Sequence, residues 1–353
     1  MIRETIGKLV EGRSLSFKEA GEAMGEIMSG VATDAQIGSF LTALRMKGET
    51  TDEISALASS MREYCHRIKP RVQGRLVDTC GTGGDKVDTF NISTIAAFVT
   101  SGAGISVAKH GNRSVTSRCG SADVLQRLGL NLDVNPDAVK DNIEKVGMGF
   151  MFAPAFHPAM KHAIGPRKQL GIRTVFNILG PLTNPAGANA QLLGVYDPRL
   201  TKPLAQSLDR LGCEEAMVVH GMLGLDEIST LGTTRITWLR DGEVKTVETL
   251  PGDFGVEKAR LEDVRGTDPE ESAELTFRIL NGLCKPHDPK TEIVLANGTA
   301  GIVVAGRADD FLHGMELARE SIESGAAYGK LRGLVKASGG DLAILEELES
   351  RHG

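Results

Sequence analysis

The stretch at residues 76–94 reads LVDTCGTGGDKVDTFNIST. In it Gly81, Gly83 and Gly84 adjoin Asp85, and hydroxyl and amide side chains follow at Thr89, Asn91, Ser93 and Thr94. Glycine is worth its entropic cost where φ must be positive or where another group approaches the main chain closely. The stretch is therefore either a tight strand-to-helix turn or a loop whose N–H groups wrap an anion, aided by the dipole of a helix beginning near Asn91. It is not a Walker A loop, because Asp85 follows Gly84, nor a dinucleotide fingerprint, which would place glycine where Lys86 stands. A carboxylate beside bound phosphates calls for a cation or a sugar hydroxyl, so Asp85 favours a ligand.

A second stretch, KHGNRSVTSRCGS at residues 109–121, offers charge from Lys109, Arg113 and Arg118. Asn112, Ser114, Thr116, Ser117 and Ser121 add hydrogen-bonding groups. It is either a solvated basic loop or a second wall of a binding site, since loops after successive parallel strands share the rim where α/β folds bind ligands. A third stretch, VVHGMLGLDEIST, carries the adjacent acids Asp226 and Glu227. Such a pair suits Mg²⁺, an oxygen-seeking ion held by one or two carboxylates plus substrate phosphate. Two acids favoured by the dipole at a helix start are the other reading. His157 and His162 lack metalloprotease spacing and read as structural or surface residues, and Cys80 reads as packing.

These loops need a scaffold. Ser16 with Glu19, Thr33 with Gln36 and Thr50 with Glu53 have capping-box spacing, which marks three helix starts in the first 65 residues. Each is followed by apolar residues at helical spacing: Phe17, Ala20, Met24 and Ile27; Ile37, Phe40, Leu41 and Leu44; Ile54, Leu57 and Met61. Gly30 and Gly48 stand where helices should stop. From about residue 75 short apolar runs (RLVDTCG, GISVAKHG, AQLLGVY, EEAMVVHG, TRITWLRDG) alternate with helical segments, the signature of a largely parallel sheet. A segment with a helical pattern from Leu170 to Leu179 interrupts them, and Glu292 to Lys336 returns to helices. The expected fold is α/β: a small all-helical domain at 1–70, joined by the inserted helices at about 165–185, and a larger α/β domain at 71–353 whose mostly parallel central sheet is flanked by helices. So short a helical unit cannot bury its own apolar stripes, so the remaining chain or a second copy should cover them.

With 353 residues, 41% of them hydrophobic, the chain can build a sizeable core. A net charge of −6 lacks the basic footprint of a nucleic-acid binder. The five cysteines are scattered and never form a C-x-x-C pair, which argues against a disulfide framework or zinc site and for a reducing cytoplasm. No apolar run approaches the roughly 18 residues of a membrane span.

Taken in order, DTCGTGGD, FNIST, KHGNRSVTSRCGSADVLQ, GPRKQLGIRTVFNILGPLTNP and GLDEIS resemble the anthranilate phosphoribosyltransferase family over essentially the whole chain. The resemblance implies transfer of a phosphoribosyl group from phosphoribosyl pyrophosphate to the amine of anthranilate, with Mg²⁺, on the route to tryptophan. It implies a homodimer through the helical domain and an active site between the two domains. By position it assigns Gly81, Gly84, Asp85, Thr89, Asn91, Ser93, Thr94, Lys109 and Ser121 to phosphoribosyl pyrophosphate. Gly81, Asn112 and Arg167 fall to anthranilate, and Ser93, Asp226 and Glu227 to the metal. Two other readings stay open: a pyrimidine-nucleoside phosphorylase of the same fold, whose substrates do not call for the KHGNR and GPRKQLG pair, and a non-catalytic nucleic-acid-binding relative, which the acidic balance and the intact acid pair oppose.

Overall fold

The computed structural model describes residues 1–84, 87, 89–114 and 119–352. Four helices come first: α1 (Ile2–Val10), α2 (Phe17–Met28), α3 (Asp34–Lys47) and α4 (Thr51–Glu63). All three expected capping boxes form, at Ser16, Thr33 and Thr50. In each, the cap side chain and the acid or amide three residues on satisfy each other's main-chain N–H group. Gly48, at φ 89°, caps α3. The expected apolar stripes are buried except Phe17, which is 52% exposed because it opens α2 at the edge of the bundle. Glu53, fully buried, pairs with Lys47 at 2.8 Å and accepts from the Leu15 and Thr50 N–H groups, tying three segments of the bundle together.

The α/β unit runs β1 (Leu76–Gly81), α5 (Ile92–Gly102), β2 (Ser106–Gly111), α6 (Ser121–Arg127), α7 (Pro136–Val146) and β3 (Met148–Phe152). After the inserted α8 (Ala153–Phe156), α9 (Lys161–Leu170) and α10 (Phe176–Leu179) come β4 (Ala190–Gly194), α11 (Thr201–Arg210), β5 (Glu215–Gly221), β6 (Thr234–Arg240) and β7 (Glu243–Thr249). Five helices close the chain: α12 (Pro269–Leu280), α13 (Pro289–Val304), α14 (Phe311–Glu323), α15 (Ala326–Ala337) and α16 (Ala343–His352). The sheet order is β3-β2-β1-β4-β5-β6-β7, parallel through β5 and antiparallel beyond.

Two departures from the sequence reading have local causes. The helical pattern from Leu170 to Leu179 is not one helix: Gly171, at φ 61°, ends α9 in a left-handed cap, and only the single turn of α10 follows. Strands β3 and β7 were not anticipated; β7 joins β6 through Asp241 and Gly242, both at positive φ, the D-G hairpin turn that suits the strand twist.

Both sheet faces are covered, which explains why the strands read as continuous apolar runs. One face packs on α5, α13, α14 and α15 through Val77, Val107, Leu192 and Met217. Residues of opposite pleat, Leu193, Val195, Ala216 and Val218, meet α11 and join the core of the amino-terminal helices. Ala163 of α9 and Phe176 and Leu179 of α10 belong to that core as well. Arg62 of α4 locks the junction, its guanidinium donating to the Leu182 and Leu211 carbonyls at 2.8 and 3.0 Å.

Candidate active site

The carboxyl ends of β1, β2, β4 and β5 lie on one rim of the parallel sheet, so the loops after them converge there. The glycine loop and the acid turn touch directly: the Gly83 N–H donates to Asp226 Oδ2 at 2.9 Å. Closeness explains the glycines better than turn geometry alone. A Cβ on Gly81 would lie 2.8 Å from Asp226 Oδ2, and one on Gly194 would lie 1.5 Å from the Asp226 carbonyl oxygen. Gly83 and Gly84 do need the left-handed region, at φ 67° and 75°. No helix starts at Asp226 and Glu227, which removes the helix-start reading of the pair; both carboxylates are buried.

Lys109, 2% exposed, turns inward from β2. Its ammonium donates to the Thr79 carbonyl and lies 3.4 Å from Ser93 Oγ. Burial lowers its pKa, opposed chiefly by the negative charge of Asp78 and also by Glu227. Lys109 thus stands between the acid turn and the start of α5. Thr79 Oγ1 donates to the Ser93 carbonyl at 3.0 Å and fixes that start to β1. No side chain among the described residues caps α5, so its amino end suits an anion. Asn91 donates to the Cys119 carbonyl at 3.2 Å, joining the glycine loop to the second loop. Its Oδ1 is buried with no hydrogen-bond partner among the described residues, an acceptor suited to a ligand hydroxyl.

Of the other sequence candidates, Thr89 bridges to Arg265 and Thr94 is buried in the first turn of α5. Ser121 opens α6 and donates to the Asn112 carbonyl at 3.2 Å, so these two close the second loop. Arg167 lies on α9, its guanidinium 5.1 Å from the ring centroid of Phe176, and no carboxylate among the described residues pairs with it. No hydrogen bond or ion pair joins its guanidinium to the other candidates among those residues. Asp85, Thr116, Ser117 and Arg118 fall outside the described residues.

Three positioning residues escaped the sequence reading. Asp78, wholly buried, accepts from the His110 N–H at 3.2 Å and from Asn184 Nδ2 at 2.7 Å. Asn184 Nδ2 also donates to the Ala108 carbonyl, so the pair pins the end of β2 to the inserted segment. Burial pushes Asp78 up to about 6 against the pull of Lys109. Asn297 of α13 grips the acid turn, accepting from the Ile228 N–H and donating to the Ile228 carbonyl, each at 3.0 Å. An amide inside the small-residue ANGTAG run was the available signal. His157 is buried rather than superficial, its ring centroid 5.0 Å from that of His110. Burial lowers His110 to about 3 and His157 to about 4, so both rings are neutral.

Oxygen donors on a buried acid pair fit Mg²⁺. No group of three or more His, Cys, Asp or Glu gathers into a metal cage among the described residues.

A family profile described as the helical bundle domain of a glycosyl transferase family matches residues 3–65, and one described as its a/b domain matches residues 73–328. The chain is 53% identical over 331 residues to the anthranilate phosphoribosyltransferase of Acetivibrio thermocellus, covering 94% of this chain and 95% of the relative. The crystal structure of that enzyme from Thermus thermophilus superposes with a TM-score of 0.89 at 41% identity, over 95% of this chain and 99% of that one. The Saccharomyces cerevisiae enzyme in complex with PRPP and Mg does so with a TM-score of 0.88 at 30% identity, over 96% and 98%.

Asn297→Ala should cost about 1–3 kcal/mol of unfolding free energy, because it strands the buried N–H and C=O groups of Ile228. Urea denaturation followed by circular dichroism measures it, and a midpoint equal to that of the unaltered protein contradicts the clamp.

Proposed function

The chain belongs to the anthranilate phosphoribosyltransferase family, and from that premise we propose how its residues carry the phosphoribosyl group of phosphoribosyl pyrophosphate to the amine of anthranilate, releasing pyrophosphate on the route to tryptophan. The convergence of the glycine loop, Lys109 and the Asp226–Glu227 turn on one rim carries the reading, with the 2.9 Å bond from Gly83 to Asp226 as a direct contact within it.

Phosphoribosyl pyrophosphate occupies the rim, its phosphates on the N–H groups of the glycine loop and the open end of α5. Gly81, Gly84, Asp85 and Thr89 line that site with Asn91, Ser93 and Thr94, and Lys109 and Ser121 complete it. For Asp85 the assignment rests on the motif. The open acceptor of Asn91 suits a ribose hydroxyl. Ser93, Asp226 and Glu227 hold Mg²⁺, which when bound supplies positive charge to the departing pyrophosphate. Asn112, Arg167 and the main chain at Gly81 hold anthranilate.

Cleavage leaves positive charge on the ribose and negative charge on pyrophosphate, so donors fixed at the pyrophosphate end act where charge develops. Lys109 is fixed in this way by its bonds to Thr79 and Ser93. The amine of anthranilate is unprotonated at neutral pH and attacks once held near the anomeric carbon, so positioning contributes heavily. A ring lowered to about 3 by burial is a weak base, which argues against His110 as the group that removes the amine's proton. The five free cysteines support a cytoplasmic setting. No helix among the described residues is long and apolar enough to cross a membrane.

The helical unit is also the proposed dimer interface. Most of its apolar stripe is covered by the chain's own sheet and inserted helices. A groove of about 950 Å³ nonetheless remains between α1, α3 and α9, lined by Leu9, Gly38, Thr42, Ala43 and Leu170. Val10 and Met46 stand on its rim, 73% and 83% exposed.

Anthranilate fluorescence should fall when protein, phosphoribosyl pyrophosphate and Mg²⁺ are combined with anthranilate; an unchanged signal would refute the assignment. Asp226→Asn with Glu227→Gln should abolish most turnover while circular dichroism stays unaltered, and full turnover of that variant, or of the unaltered protein in EDTA, removes the acids from the metal site. Arg167→Ala should raise KM for anthranilate at least tenfold, or about 1.4 kcal/mol, through loss of a two-pronged grip on the carboxylate. KM for phosphoribosyl pyrophosphate should change far less, and the opposite bias would reverse the two ends of the cleft. Light scattering should give twice the chain mass at micromolar protein, falling toward one chain in Met46→Glu; a strictly monomeric parent protein contradicts the interface.

A further inference from the structure

Arg173 lies in the connection between α9 and α10 and is exposed. Its guanidinium carbon sits 4.2 Å from the ring centroid of Tyr196, in the loop after β4. From there Nη2 donates to the Gly84 carbonyl at 2.7 Å. Gly84 makes room for it: a Cβ there would lie 2.5 Å from Nη2 and 3.1 Å from Cζ. Tyr196 touches the same loop with its main chain, donating its N–H to Thr82 Oγ1 at 3.1 Å. The Thr82 N–H donates to the Gly194 carbonyl at 2.9 Å. Three segments distant in sequence thus meet at residues 82–84, and no carboxylate among the described residues pairs with Arg173.

We propose that Arg173 is a positioning residue of the phosphoribosyl pyrophosphate site: stacked on Tyr196, it holds the Gly84 carbonyl out of the anion cradle and adds a positive charge beside it. A carbonyl oxygen turned into a ring of N–H donors would repel a phosphate, whereas one bonded to a cation is neutralised and fixed. A planar guanidinium suits both tasks, since it stacks on an aromatic face while its edge donates. Because Arg173 stands between α9 and α10, the bond also couples the segment bearing Arg167 to the loop that grips the other substrate. This inference rests on the proposed role of the glycine loop.

Isothermal titration of phosphoribosyl pyrophosphate with Mg²⁺ into the full-length protein, alongside steady-state kinetics, provides the test. Arg173→Leu should raise Kd and KM for phosphoribosyl pyrophosphate at least about fivefold and leave KM for anthranilate within about twofold. Its melting temperature should match that of the unaltered protein, because the side chain is exposed. Arg173→Lys should recover part of the affinity. Tyr196→Leu should lose part of it, and the double variant Arg173→Leu with Tyr196→Leu should be no worse than Arg173→Leu alone, since both remove one device. Unaltered affinity in Arg173→Leu, an equal rise in both KM values, or strictly additive losses would overturn the role of Arg173. Failure of the unaltered protein to bind phosphoribosyl pyrophosphate would overturn the glycine-loop reading itself, and this inference with it.

Discussion

The approach of the Asp226 turn to the ends of β1 and β4 is the contact on which the site depends. The Asp226 carbonyl occupies space that any side chain at residue 194 would claim, and its carboxylate presses on Gly81 and accepts from Gly83. Two strand ends must therefore lack side chains for an acid pair to reach the glycine loop. Van der Waals exclusion imposes this, and no hydrogen bond could compensate a Cβ only 1.5 Å from a carbonyl oxygen. The acids are held there from the other side by Asn297, whose amide matches both main-chain groups of Ile228.

The charges follow from that approach. Asp226 and Glu227 are buried, and buried acids beside phosphates need positive charge. Lys109 supplies one such charge within the protein, itself buried and held by oxygen atoms of Thr79 and Ser93. Asp78 lies behind it, pushed up to about 6 by burial and bonded to β2 and Asn184, so the strand bearing Lys109 is fixed at its end. Pre-set dipoles and charges of this kind need little reorganisation as pyrophosphate departs, and that spares most of the cost such a group would pay in water.

The two parts of the chain share a core. Helices α9 and α10 leave the sheet sequence, pack with the amino-terminal bundle, and return through the segment bearing Asn184. Arg62 closes the junction by donating to carbonyls on both sides. The segment bearing Arg167 and the strands that carry the glycine loop thereby share a packing surface, and their relative placement is a property of that surface.

Chemistry between near neighbours was legible in the sequence. The three capping boxes link residues three apart, and the glycine loop, the Lys109 loop and the acid pair announced themselves by residue type after short apolar runs. The same locality explains the errors. The helix expected across Leu170 to Leu179 matched a hydrophobic period, yet Gly171 takes the left-handed conformation that ends α9. Strand β7 was missed because its residues are mostly exposed and polar, although the D-G turn before it was visible. What only the tertiary structure decided are contacts across long separations: Asp78 with Asn184, 106 residues apart, and Asn297 with Ile228, 69 apart. Nothing in the spacing of such residues marks them as partners, because the sheet order brings them together. The glycines illustrate the division: their presence at 81 and 194 is sequence, but the reason for them, a carboxylate turn arriving from beyond β5, exists only once the strands are side by side.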